Sequence, residues 1–359
     1  MHQIVRVIGV AVGLTAHFGA AASGQTTPDM PVSAAERATV IDGVARKLAA
    51  GYVFADRAAF IQQQLAKKSV RARYDSLTTA SALTQALTRD LQQWSQDRHL
   101  RVVFSTRARP LQNAAAPTAE ARVRDLEAAR MRNFGFHQVE RLTGNVGYLE
   151  IGRFDAASLA APTASAAMHF LSNTDALIID LRGNGGGRAD MVAFMTSHFV
   201  EESTKLLTLE RRDPQASDQL WSLPYVPGAR YIGKPVFVLT SSRTFSGAEG
   251  LTYDLRHFAH ATVVGEKTRG GANPGGFEQI NEHYAVAVPT ARVVHAATGT
   301  NWDADGITPD IVVTAADAKT TAHRLALERL LSTEADEVRA AMWKEAMSEL
   351  FPSSTSLVK

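Results

Sequence analysis

The chain of 359 residues is 45% hydrophobic and 21% charged, which excludes wholesale disorder and a small stapled scaffold and leaves room for about two globular units. With 38 basic against 36 acidic side chains the net charge is +2, too weak a field to suggest a nucleic-acid partner. Cysteine is absent, so disulfides, thiolate metal sites and cysteine nucleophiles are excluded, and covalent chemistry falls to another side chain.

Residues 1–24 read as an export signal: Arg6 precedes an apolar stretch from Val7 to Ala16, and Ala20, Ala21 and Ala22 supply a cleavage region. Thr15 and His17 hold the apolar run below the roughly 20 residues of a membrane span. The expectation is therefore a cleaved signal, no stable membrane insertion, and a periplasmic or extracellular protein. Residues 25–105 read as a helical N-terminal domain. Ser33 and Glu36 have the spacing of a capping box, and Val40, Val44 and Leu48 form an apolar stripe behind it. Leu83, Leu87 and Leu91 form a second stripe ending near Trp94, followed by a strand candidate at Leu100–Phe104. Residues 106–144 read as a linker containing a charged helix from Glu120 to Asn133.

From 145 to 316 strands and helices alternate, which predicts an α/β core. Strands are expected at Val146–Ile151, Ala176–Leu181, Pro235–Thr240, Thr262–Gly265 and Ile311–Val313, with helices at Ala156–Leu171, Asp190–Phe199 and Ser246–Phe258. Tyr284–Val288 and Arg292–Val294 read as a hairpin around Pro289, and residues 317–359 as a helical tail.

Two segments could carry chemistry. In Asp180-Leu181-Arg182-Gly183-Asn184-Gly185-Gly186-Gly187 a strand enters a glycine turn that can present backbone N–H groups to an anion. Arg188 stands where a dinucleotide fingerprint needs its last glycine, and no Lys-Ser or Lys-Thr pair follows, so neither nucleotide motif is complete. In Thr244-Phe245-Ser246-Gly247-Ala248-Glu249 a serine stands where a loop becomes a helix. Ser246 and Glu249 satisfy a capping box, and the same position places a hydroxyl beside free N–H groups that could hold an oxyanion. Gly-x-Ser-x-Gly is absent because Thr244 fills the first glycine position, and no His-Glu-x-x-His metal motif occurs.

These two segments, with Val264-Gly265-Glu266-Lys267-Thr268-Arg269-Gly270-Gly271-Ala272 and Trp302-Asp303-Ala304-Asp305-Gly306-Ile307-Thr308-Pro309-Asp310, resemble the tail-specific (C-terminal processing) serine peptidase superfamily in order and spacing. The helical segment before His99 is similar to the branch of interphotoreceptor retinoid-binding protein and the tricorn core peptidase. The resemblance implies an α/β, crotonase/Clp-protease-like ββα spiral core behind a small helical domain, and a serine peptidase acting on peptides or proteins without a cofactor. Between Phe104 and Asn145 there is too little chain for a complete PDZ domain.

The lysine that C-terminal processing peptidases place 25 residues after the serine is missing, since Gly271 stands there and Lys267 lies four positions early. The resemblance instead implies a Ser-His design, with His99 in Gln96-Asp97-Arg98-His99-Leu100 as general base to Ser246. Histidine as base implies activity rising through about pH 6 to 7. By the same carry-over, Gly186 and Gly247 supply the oxyanion donors, and Asp303 or Glu249 is the acidic partner. Asp303 is one methylene shorter than the glutamate of the tricorn-like pattern, and Glu249 also suits a helix cap. An apolar-ligand carrier that keeps the scaffold without efficient catalysis is the alternative. Neither the natural substrate nor the oligomeric state is legible.

Overall fold

The computed structural model describes residues 29–109, 118–334 and 336–351; the expected export signal lies outside the described residues. In chain order the elements begin with α1 (Ala34–Gly51), α2 (Ala55–Ala66), α3 (Lys68–Asp75), α4 (Ala80–Ser95) and β1 (Arg101–Phe104). There follow α5 (Ala119–Met131), β2 (Phe136–Leu142), β3 (Val146–Ile151), α6 (Ala157–Leu171), β4 (Ala176–Asp180) and α7 (Ala189–Thr196). Next come β5 (Lys205–Glu210), β6 (Asp218–Trp221), β7 (Val236–Thr240), α8 (Gly247–Phe258), β8 (Thr262–Gly265) and β9 (Gly275–Gln279). The last are β10 (Tyr284–Pro289), β11 (Arg292–His295), β12 (Ile311–Val312), α9 (Ala318–Thr333) and α10 (Glu337–Leu350).

The chain forms two compact units, the first containing the described residues up to 109 together with Glu210–Ala216 and Asn273–Arg292. In this unit Ser33 caps α1 as its sequence predicts, its Oγ accepting the Glu36 N–H at 3.1 Å. Val40, Val44 and Leu48 of α1 meet Leu83, Leu87 and Leu91 of α4 in one buried cluster. Tyr284, Val286 and Val288 of β10 close that cluster, so the unit is not purely helical. β10 runs antiparallel to both β1 and β9. The hairpin expected between β10 and Arg292–Val294 does not form, because β11 instead lies beside β5. Burying the apolar face of β10 against the helices outweighs the local turn at Pro289, a non-local contact that a sequence pattern does not reveal.

The second unit takes residues 118–209, 217–272 and 293 onward. Its six-stranded sheet has the order β12-β8-β7-β4-β3-β2, parallel throughout except for β2 against β3. Buried residues of α6, α7 and α8 cover one face, and α9 and α10 cover the other. β4 and β7 are therefore buried along their whole length and read as continuous apolar runs. The mixed α/β class with a helical N-terminal region is the expected one. Strands β2, β5, β6 and β9 escaped the sequence reading. β2, Phe-His-Gln-Val-Glu-Arg-Leu, is a sheet edge with mostly exposed side chains and so carries no hydrophobic signature.

Candidate active site

Parallel neighbours β4 and β7 end at the same edge of the sheet, so the turns that follow them emerge side by side, where ligands bind in open α/β sheets. Hydrogen bonds join the two turns. Thr244 Oγ1 donates to Leu181 O at 2.8 Å, Ser241 Oγ to Arg182 O at 2.6 Å, and Phe245 N to Asn184 O at 3.1 Å. Asp180 anchors the start of the first turn. Burial alone would raise its pKa, but hydrogen bonds from Arg182 and Tyr148 outweigh burial and hold the carboxyl below its usual range.

At the end of the second turn Ser246 has φ 56° and ψ −121°, a left-handed conformation that costs a non-glycine residue about 1–3 kcal/mol. It is half-buried at the start of α8, beside first-turn N–H groups that have no intrahelical acceptor. This is a sharp strand-to-helix turn without the flanking glycine of Gly-x-Ser-x-Gly. Gly186, at φ 100°, packs against it: a methyl group there would sit 2.8 Å from Gly247 N, Phe245 O and Ser246 Cβ.

The expectation that Gly186 donates to an oxyanion needs correction, because its N–H donates to Asn184 Oδ1 at 2.7 Å. Gly186 supplies space. The Gly187 nitrogen lies 3.2 Å from a Cβ built on Gly247, which places the next amide of the turn at the helix start. Asn184 also donates from Nδ2 to Ile151 O at 3.0 Å, fixing the turn to β3, a role its position among glycines did not suggest.

Glu249 is fully buried and joins two of the four motifs. Its Oε2 accepts Ser246 N at 2.8 Å and Gly271 N at 2.9 Å, and its Oε1 accepts Thr268 Oγ1 at 2.5 Å and Gly270 N at 2.6 Å. Burial pushes its carboxyl above the usual range, against the pull of these four donors. It is the expected helix cap, and it also holds the 268–271 segment to the serine. The fourth motif is fixed in turn: Thr268 Oγ1 accepts Ile307 N at 2.7 Å, Trp302 Nε1 donates to Gly271 O at 2.9 Å, and Asp303 Oδ1 accepts Ala272 N at 3.0 Å. Gly306, at φ 71°, allows this approach, since a Cβ there would lie 2.3 Å from Thr268 O.

His99 belongs to the first unit. Its backbone N–H donates to Asp97 Oδ1 at 2.9 Å, and its Nδ1 lies 3.9 Å from the same oxygen. Asp97, to which sequence reasoning gave no part, is completely buried. The only signal for it is the two-residue spacing from histidine.

Residues 145–313 match the model of Peptidase family S41, and residues 33–132 match the N-terminal domain of Peptidase_S41 in eukaryotic IRBP. The chain belongs to peptidase family S41. It is 30% identical over 173 residues to a carboxyl-terminal-processing protease of Synechocystis sp., covering 47% of this chain and 38% of that one. It is 27% identical over 191 residues to a chloroplastic carboxyl-terminal-processing peptidase 1 of Arabidopsis thaliana, covering 52% and 37%. The match thus spans well under half the length of these curated relatives. The fold is shared with a lipoprotein from Streptococcus agalactiae, with TM-score 0.53 and 13% identity over 86% of this chain and 100% of that one. It is also shared with the tricorn protease, with TM-score 0.51 and 12% identity over 88% and 37%. Within this S41 chain Gly271, at the position of the missing lysine, gives its N–H to Glu249. No helix among the described residues is long and apolar enough to cross a membrane.

Proposed function

We propose that this S41 protein is a serine peptidase that cleaves peptide bonds through an acyl-enzyme on Ser246, with His99 as general base. The observation that carries this reading is the strained Ser246 at the N-terminus of α8, held by Glu249 and fitted against a glycine turn. A residue kept in a costly conformation by surrounding hydrogen bonds is what an exposed nucleophile requires. Ser246 Oγ attacks the carbonyl while its proton passes to His99. The tetrahedral oxyanion is held by Gly247 N–H together with Gly187 N–H. His99 then returns the proton to the leaving amine, and water, deprotonated in the same way, releases the acyl group. Asp303 and Glu249 position backbone around the serine.

The substrate is a peptide or protein, and the pattern of residues 1–24 supports export to the periplasm or beyond. The test is digestion of a diverse peptide mixture by the mature protein, read by mass spectrometry beside Ser246→Ala and His99→Ala. Cleavage should vanish in the serine variant and fall about 100-fold or more in the histidine variant. Cleavage that survives Ser246→Ala removes the assignment, and no cleavage by the native protein turns attention to binding of apolar ligands.

A further inference from the structure

We propose that Arg269 selects the substrate, its guanidinium pairing with an acidic side chain, Asp or Glu, close to the scissile bond; this deepens the serine-peptidase reading and rests on it. The placement follows from the sheet. β8 runs parallel beside β7, so the turn after β8 emerges next to the turn that carries Ser246. In that turn Thr268 and Gly270 are buried and give their donors to Glu249, while the alternate residues Lys267 and Arg269 are exposed. The Arg269 N–H donates to Thr244 O at 3.0 Å, which fixes its backbone beside the run Thr244-Phe245-Ser246. Its Cζ lies 5.0 Å from the centre of the Phe245 ring, and Phe245 is the residue immediately before the serine. A guanidinium backed by a buried ring has less freedom to lose when a partner binds.

The charges along this edge of the sheet point to the same residue. Arg182 pairs with Asp180, and Arg188 with Asp190. Arg243 faces Glu266, whose carboxylate also accepts the Ser242 and Ala315 N–H groups. Lys267 and Arg269 are the cations of these turns that have no carboxylate partner among the described residues. In water an exposed guanidinium gains little from a carboxylate. A peptide lying over the serine turn displaces that water, and the planar fork then matches a carboxylate with two charge-assisted N–H···O bonds. The amide of Gln or Asn has the same shape, carries no charge and offers one oxygen, so it gains much less.

An arginine that only shields the Phe245 ring predicts no discrimination between Glu and Gln, because the ring is covered whatever the peptide carries. The probe is a library of acetylated and amidated peptides, made in pairs that differ only by Glu or Gln at one position, so that every carboxylate is a side chain. It is digested near neutral pH by the full-length mature protein and by its variants, and kcat/KM is read for each pair by mass spectrometry. The native protein should favour the Glu member about 10-fold or more at a position within about three residues of the cleaved bond. Arg269→Gln should bring that ratio within about twofold of unity, and Arg269→Glu should turn the preference at the same position to Lys and Arg. Lys267→Gln, which removes the neighbouring charge and leaves the stacked guanidinium, should keep the ratio within about threefold of the native one.

Equal cleavage of both members by the native protein, or a preference that persists in Arg269→Gln, overturns the proposal. Acidic preference that appears only with a free C-terminal carboxylate overturns it as well. Cleavage that survives Ser246→Ala removes the serine reading and leaves the comparison of Arg269 variants standing. If the native protein cleaves no peptide, the serine-peptidase reading fails first, and capture of the same pairs on immobilised Ser246→Ala still reads Arg269. The Glu member should then be retained about 10-fold over the Gln member, and the excess should vanish in Ser246→Ala combined with Arg269→Gln. Equal retention on Ser246→Ala overturns the proposal.

Discussion

Replacing Glu249 by glutamine tests whether one carboxylate assembles the serine site. Four donors converge on it: Ser246 N and Gly271 N on Oε2, Thr268 Oγ1 and Gly270 N on Oε1. A carboxamide has a single oxygen, so its NH2 must face one of these pairs. Facing Ser246 and Gly271 it would orphan two N–H groups. Facing Thr268 and Gly270 it would orphan one, since the Thr268 hydroxyl can turn to accept, and this orientation should prevail. One stranded buried N–H costs about 1–3 kcal/mol, and the remaining bonds weaken on losing the charge. Burial of a neutral group instead of a charged one recovers part of this, leaving a net cost of about 2–4 kcal/mol. The local readout is amide hydrogen exchange at Ser246, Gly270 and Gly271, where protection should fall about 30-fold or more. Peptide cleavage should drop about 10- to 100-fold as the serine backbone loses its anchor. If Glu249→Gln keeps the protection of these three amides and retains cleavage within about threefold, the carboxylate does not assemble the site.

Other outcomes follow from neighbouring geometry. Gly186→Ala places a methyl group 2.8 Å from Gly247 N and Ser246 Cβ at φ 100°, so kcat/KM should fall about 100-fold or more in a protein that still shows native circular dichroism. Ser246→Gly relieves the strain at φ 56° that Ser246→Ala retains, and denaturant titration should find the glycine variant about 1 kcal/mol the more stable, with both inactive. His198 is fully buried with neither ring nitrogen hydrogen-bonded, and burial and the nearby Arg230 guanidinium push its pKa down to about 4. The unfolded chain takes up that proton near pH 6.5 and the folded one only near 4, so stability falls as pH is lowered through this window, by about 3 kcal/mol in all. Unfolding followed from pH 7 to 4 should lose this part of its slope in His198→Phe. Asp254 of α8 and His295 form a buried pair 3.1 Å apart, and His295→Ala, which leaves the carboxylate its Thr196 hydrogen bond but removes its imidazole partner, should lower stability by about 3–5 kcal/mol in denaturant titration.

The α/β class, the first helix with its Ser33 cap, and the strand–turn–helix units around Gly186 and Ser246 follow from local rules, and the sequence by itself determined them. Capping, helical periodicity and glycine turns act within about ten residues, and parallel strands buried on both faces declare themselves as apolar runs. Which motifs meet was carried only by resemblance. Long-range pairing decides that Glu249 takes its donors from residues 268–271 and that Gly271 binds Trp302. The same holds for β10, which leaves its sequence neighbour for β1 and β9 to bury Tyr284, Val286 and Val288. Gly186 shows the limit at single-atom scale, because the motif names the glycine and only the folded turn shows Asn184 taking its N–H. Asp97 shows the converse: two residues from His99, it was visible throughout as a letter. Only the fold shows it completely buried, with Tyr52 Oη donating to its Oδ2. Hydrogen-bond partners and solvent exclusion are properties of the assembled chain, and they set what each of these side chains can do.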